Sequence, residues 1–120
     1  MELDARQRQR FARHLLLPEL GKQGQAELCA SSVRAPEGPA GAVASDYLTR
    51  AGVQCGDEGA AVPVADGQVL AQLAGDPSLE HAAAALAGAF AAVEAIKGIT
   101  GAGEAGALPP ELTLAVGEEP

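Results

Sequence analysis

The sequence predicts a helix-rich α/β fold in which a very small sheet is flanked by helices. Three observations carry that expectation. Residues 77–97 show a long apolar periodicity of helical type. Residues 32–51 read as strand, turn and helix. Short apolar runs of strand length stand at 62–65, 68–70 and 112–116. The expected order is helix, helix, strand, helix, strands, long helix, strand, with residues 1–31 as a helical N-terminal arm and residues 32–120 as the core of a single domain.

Each element has a local reason. Asp4 can cap a first helix, and Gln7, three residues later, can return the bond to the cap. That helix is expected to reach about His14 and to be followed by Leu15-Leu16-Leu17 and then Pro18, which opposes continuation. A second short helix fits Gln23 to Ala30. Ser32 to Ala35 reads as a brief strand, although Arg34 suits a buried strand poorly. A turn at 36–41 leads into a helix from Ala40 to Ala51, with Val43, Tyr47, Leu48 and Ala51 on one face and Gly52 as its stop. Residues 54–60 read as a loop.

Val62 to Ala65, Asp66-Gly67 and Gln68 to Leu70 read as a short hairpin, because Asp-Gly favours the tight turn; Pro63 confines its strand to an edge. The long helix has the clearest signals. Asp76 caps it, Pro77 holds its first position, and Gly98 is its expected end after Lys97. Leu79, Leu86, Phe90, Val93 and Ile96 or Lys97 form its stripe, and the alanines around them leave almost the whole circumference small and apolar. Such a helix is normally buried. A last strand is expected at Leu112 to Val116.

Composition bounds the function. The chain has 120 residues, 27 of them alanine, and only 2% aromatics. Its larger apolar side chains are few for a domain that buries roughly two thirds of its unfolded surface, so a second copy or a partner is expected to complete the core. The net charge of −8 argues against nucleic acid, whose phosphates call for clustered Lys and Arg. Residues 1–50 are near +1 and residues 51–120 near −9, so Arg6, Arg8, Arg10 and Arg13 form either a solvated face or a basic arm for an acidic surface. Cys29 and Cys55 have no CxxC spacing, and His14 and His81 lie far from both, so two idle thiols in a reducing compartment are expected rather than zinc. The charged N-terminus does not read as a signal peptide. The longest charge-free apolar stretch, Ala82 to Val93, is too short to span a bilayer. A cytoplasmic protein without a membrane partner is expected.

The one motif worth testing for chemistry is the turn before the helix at 40–51. A strand, a glycine-rich turn and a helix N-terminus make a phosphate cradle, because free N–H groups and the helix dipole face the anion. Gly38 and Gly41 have the spacing of the last two glycines of GxGxxG. Pro36 and Pro39 each remove a donor, and Glu37 adds a repelling charge, at about 1.5–3 kcal/mol for each charge-assisted bond lost. No nucleotide cofactor is expected there. Asp57, Glu58 and Asp66 are loop acids whose solvation accounts for them without a cation. His81 sits in the first turn of the long helix, where the dipole opposes its charged form. No convergent polar residues for a small-molecule pocket can be argued from spacing.

Arg10-Phe11-Ala12-Arg13-His14-Leu15-Leu16-Leu17-Pro18-Glu19-Leu20-Gly21, with Gly24-Gln25, strongly resembles the opening of the ThiF/MoeB/HesA family, bacterial relatives of ubiquitin-activating enzymes. Tyr47-Leu48-Thr49-Arg50-Ala51-Gly52-Val53 is similar to the exit of that family's first Rossmann helix. Ala92-Val93-Glu94-Ala95-Ile96-Lys97 with Gly101 is similar to its late helix, and residues 112–116 to the strand after it. Val62-Pro63-Val64 with Gly67-Gln68-Val69 echoes a strand pair between those regions. The resemblance implies a truncated Rossmann-like fold. Family members are roughly twice as long. The lost middle would carry the acidic residue for the ribose, the Asn, Arg and Lys around the triphosphate and the magnesium Asp; the catalytic cysteine and zinc pairs are missing too. Only Arg13 matches an ATP contact, resembling an arginine that reaches the partner subunit's nucleotide.

The resemblance therefore implies no catalytic residue, cofactor or metal. It points to a dimeric binding or scaffold module, with a ubiquitin-like or sulfur-carrier protein or a full-length relative as partner. The interface candidates are Arg13, Leu15, Leu86, Phe90 and Val93. The alternative is an accessory subunit in ATP-dependent adenylation of a sulfur carrier, borrowing nucleotide contacts from a partner.

Overall fold

A computed structural model describes residues 2–16 and 20–101, with the backbone alone at Leu15. The expected break at Pro18 and the expected strand at 112–116 fall outside the described residues.

The N-terminal arm begins as its sequence dictates. Asp4 accepts from the Gln7 N–H at 2.8 Å and the Gln7 amide oxygen accepts from the Asp4 N–H at 3.0 Å, so the capping box closes on both sides. Helix α1 (Ala5–Arg10) stops earlier than expected. Phe11 leaves helical geometry and buries its ring among Leu3, Ala26 and Cys29. That burial outweighs one more turn of an arm otherwise exposed. A 3₁₀ turn follows at His14–Leu16, then α2 (Gly21–Ala30).

Strand β1 (Ser32–Arg34) buries only Val33. Ser32 and Arg34 are exposed, which resolves the misfit of an arginine in a strand: it stands on the solvated face of the sheet. Helix α3 (Pro39–Ala51) ends on Gly52, whose left-handed φ of 106° lets its N–H reach the Leu48 and Thr49 carbonyls. The stretch expected as a loop carries two further strands, β2 (Gln54–Cys55) and β3 (Ala60–Ala61). Both run parallel to β1, in the order β2-β1-β3, and Val33 pairs with Cys55 on one side and Ala60 on the other. Two-residue strands carry no readable periodicity.

The expected hairpin at 62–70 does not form. Asp66 instead accepts from the Gln68 N–H at 2.8 Å and starts helix α4 (Gly67–Leu73). An Asx residue favours a helix cap as readily as a turn, and burial of Ala71 and partial burial of Leu70 decide for the helix.

Asp76 caps a 3₁₀ turn at Pro77–Leu79, as expected, and α5 (Glu80–Thr100) continues from it. The helix runs through Gly98 and ends on Gly101. Its orientation reverses expectation. The buried face is Ala83, Ala84, Ala87, Gly88, Ala91 and Ala92, while Leu86 and Phe90 are half-buried and Val93 is 50% exposed. Close approach explains this. A Cβ on Gly88 would lie 2.5 Å from the Ala40 carbonyl oxygen, so α3 and α5 cross too tightly for large side chains between them. The same holds on α3, where Ala40, Gly41, Ala44, Leu48 and Ala51 face inward and Tyr47, expected there, is 51% exposed. The main core joins Leu28, Val33, Leu48, Val53, Val62 and Ala91 and Ala92 of α5.

With its 3₁₀ lead-in, Pro77–Thr100 spans 24 residues that include Glu80, Glu94 and Lys97, and an 18-residue stretch of it is apolar enough to cross a membrane by length and composition. Glu94 and Lys97 form an ion pair at 2.8 Å.

The cap of α5 gives a pH-dependent prediction. The Ser78 hydroxyl and N–H both donate to Asp76 and hold its carboxyl below the usual carboxylate value. A lowered folded-state pKa stabilises above the unfolded value of 3.8 and is lost as pH falls through the folded value. Asp76→Ala is therefore expected to lower Tm at neutral pH, with the difference from wild type shrinking below pH 3.8. Circular-dichroism melts against pH test this, and a difference that persists unchanged at lower pH refutes it.

Candidate functional site

β1 is central and the chain visits first one neighbour and then the other, so the strand order reverses beside the paired carboxyl ends of β1 and β3. Ligands of open parallel sheets bind in a crevice at such a point. Here a crevice of about 450 Å³ opens between the loop after β1, the loop after β3 and the first turn of α5. Gly38 lines this crevice, whereas Gly41 lies buried one turn into α3 and does not. Gly38 is the α3 N-cap with φ 106°, and no side chain caps the helix. Gly41 serves close packing: a Cβ there would lie 1.8 Å from the Pro36 carbonyl oxygen.

The loop has the shape of a phosphate cradle without its charge. Pro36 and Pro39 lack N–H donors, and Glu37, Asp66 and Glu80 surround the space; among the described residues the lining has His81 as its one basic group and no Lys or Arg. A phosphate here would meet carboxylates. Among the described residues, no group of three or more His, Cys, Asp or Glu is placed to hold a metal ion, so these acids do not converge. Cys29 is buried and Cys55 half-buried, both as free thiols.

A second concavity was not legible in the sequence. A groove of about 390 Å³ runs between α3 and α5 over Leu28. Its walls are apolar, from Leu20, Ala51, Ala89, Ala92 and Ile96, and its polar groups are His14, Tyr47 and Arg50. Two elements deliver them, the 3₁₀ turn with His14 and α3 with Tyr47 and Arg50, and no sequence spacing announces that the two meet. Val93, an expected interface residue, borders the same groove, so the N-terminal arm and the outer stripe of α5 meet here. Arg13 is exposed; Leu86 and Phe90 lie along α5, and the Leu15 side chain is outside the described residues.

His14 is held by a buried glutamine. Gln25 is fully buried; its Nε2 donates to the Ala51 carbonyl at 2.8 Å, and its Oε1 lies 2.9 Å from His14 Nδ1. An amide whose nitrogen is committed to a carbonyl presents its oxygen to the imidazole, so Nδ1 carries the proton and donates. Phe11 stacks on the His14 ring at 5.7 Å, and the Arg10 guanidinium covers Phe11 at 4.7 Å while Nη2 donates to the Thr49 carbonyl at 3.1 Å. The arm is thereby clasped to the carboxyl end of α3, where cations are favoured. Arg50 pairs with the exposed Asp46 at 3.3 Å.

No family model, curated protein or solved structure matches the chain.

Proposed function

We propose that this chain is a non-catalytic binding or scaffold module, a cut-down relative of the ThiF/MoeB/HesA proteins with a reduced Rossmann-like core, acting as a homodimer in the cytoplasm. One observation carries the reading: among the described residues, the crevice where a parallel sheet would hold a nucleotide is lined by carboxylates and prolines and by no Lys or Arg. The central β1, with parallel neighbours on both sides and a glycine-containing loop before α3, supports the Rossmann-like relation. Acyl adenylation demands positioned phosphates and stabilisation of developing charge, and the crevice offers neither. A ubiquitin-like or sulfur-carrier protein or a full-length relative is the partner we infer from the N-terminal resemblance.

Pairing of two copies fits the outward side of α5, where Leu86, Phe90 and Val93 are left half-covered while alanines fill the core. We read α5 as a core helix rather than a membrane span, because its alanine face packs on α3, α4 and the sheet. Light scattering is expected to give twice the 12.0 kDa chain mass at micromolar concentration, and titration calorimetry with magnesium-ATP no binding at millimolar ligand. A monomer refutes the dimer. Micromolar ATP affinity refutes the non-catalytic reading.

A further inference from the structure

The groove between α3 and α5 has a property that neither a core defect nor a plain pairing face requires. In a chain with sixteen acidic and eight basic residues, its lining among the described residues contains Arg50 and His14 and no carboxylate. Its remaining walls are aliphatic, with Tyr47 at the edge. Small-molecule sites typically combine an apolar concavity of roughly 300–1,000 Å³ with a few oriented polar groups, and this groove falls within that range.

We propose that this groove binds an amphiphilic monocarboxylate of the medium-chain fatty-acid type, with the alkyl chain along the α3–α5 groove and the carboxylate at Arg50 and His14. The orientation of His14 is what separates this site from a generic apolar patch. Burying Gln25 is costly unless both ends of its amide are satisfied, and both are, one by the Ala51 carbonyl and the other by His14 Nδ1. With Nδ1 engaged by Gln25, Nε2 is the nitrogen left to meet a ligand's polar head. Arg50 supplies the permanent charge. Its pair with Asp46 is exposed on both sides, so a ligand carboxylate exchanges with Asp46 at little cost. The alanines at 89 and 92 leave room for the chain, and Leu28 forms its floor. This inference depends on neither ATP binding nor dimer mass, but the groove shares Val93 with the proposed pairing face, so a second copy seated over the groove would exclude the ligand.

The test uses the full chain and three ten-carbon probes in titration calorimetry: decanoate, decanol and decyltrimethylammonium. Decanoate is expected to bind one per chain, at least tenfold tighter than either of the others. Arg50→Gln, at an exposed position, is expected to remove about tenfold of that affinity without changing the fold, as the loss of a charge-assisted bond. His14→Ala is expected to weaken it similarly, with circular dichroism confirming that the variant is folded. Equal binding of the three probes, no decanoate binding, or an unchanged affinity in Arg50→Gln overturns the proposal. Decanoate affinity that falls as protein concentration rises places a second copy over the groove, and also overturns it.

Discussion

Gly41→Ala is expected to destabilise the protein by about 3 kcal/mol, the upper end of what overpacking a tight site costs. The added Cβ would lie 1.8 Å from the Pro36 carbonyl oxygen and 2.7 Å from its carbon. Both are backbone atoms, so no rotamer change relieves the clash; either the loop after β1 or the start of α3 must move. Movement of α3 propagates, because Ala40 and Val43 also wedge against Gly88 of α5. Two glycines serve as controls. A Cβ at Gly56 or Gly98 meets nothing within 4 Å. Gly98 lies inside α5, so Gly98→Ala is expected to stabilise by about 0.5–1 kcal/mol through helix propensity. Urea unfolding of the three variants decides the matter. If Gly41→Ala unfolds at the same urea midpoint as Gly56→Ala, the close packing of β1, loop and α3 is wrong.

The same crossing explains which parts of the fold were legible in the sequence. Helix starts and stops that depend on local hydrogen bonds were readable: the Asp4–Gln7 box, Asp76 before Pro77, and Gly52 after α3. Which face a helix buries was not. Pattern reading assigns the largest side chains to the core, yet here the glycine and alanines of α5 face inward and Leu86, Phe90 and Val93 do not. At a close helix crossing, backbone proximity takes precedence over side-chain volume, and only the partner helix reveals it. Asp66-Gly67 failed for a different reason, since one Asx signal serves both turn and cap. The prolines and Glu37 of the loop before α3 were legible because they adjoin in sequence. The groove was not, because His14, Tyr47 and Arg50 converge only through the packing of the arm against α3.

That packing rests on Gln25, whose replacement carries the other large effect. Gln25→Ala is expected to cost about 3–5 kcal/mol, combining a core cavity with an unsatisfied buried carbonyl. Gln25→Met, which keeps the volume and loses the amide, is expected to cost about 1–3 kcal/mol, the polar share alone. The reason lies at the carboxyl end of α3. The last carbonyls of a helix lack intrahelical donors, and the Ala51 carbonyl is met by Gln25 Nε2 at 2.8 Å. Gly52 leaves the gap that Gln25, Phe11 and Cys29 fill, since a Cβ there would lie 2.9 Å from both Gln25 Nε2 and the Phe11 ring. One amide thus joins three segments: α2, which carries it; the end of α3; and the arm, through His14. Its loss is expected to release the arm before the core. Amide hydrogen exchange at residues 11–14 should then accelerate in both variants while that at Leu48 and Ala91 slows or speeds only with global stability. A double-mutant cycle of Gln25→Met with His14→Ala should show a coupling of about 0.5–3 kcal/mol, as expected for two members of one hydrogen-bond network. Wild-type stability of Gln25→Met, with the arm still protected, would show that the clasp is held by Phe11 and Arg10 alone.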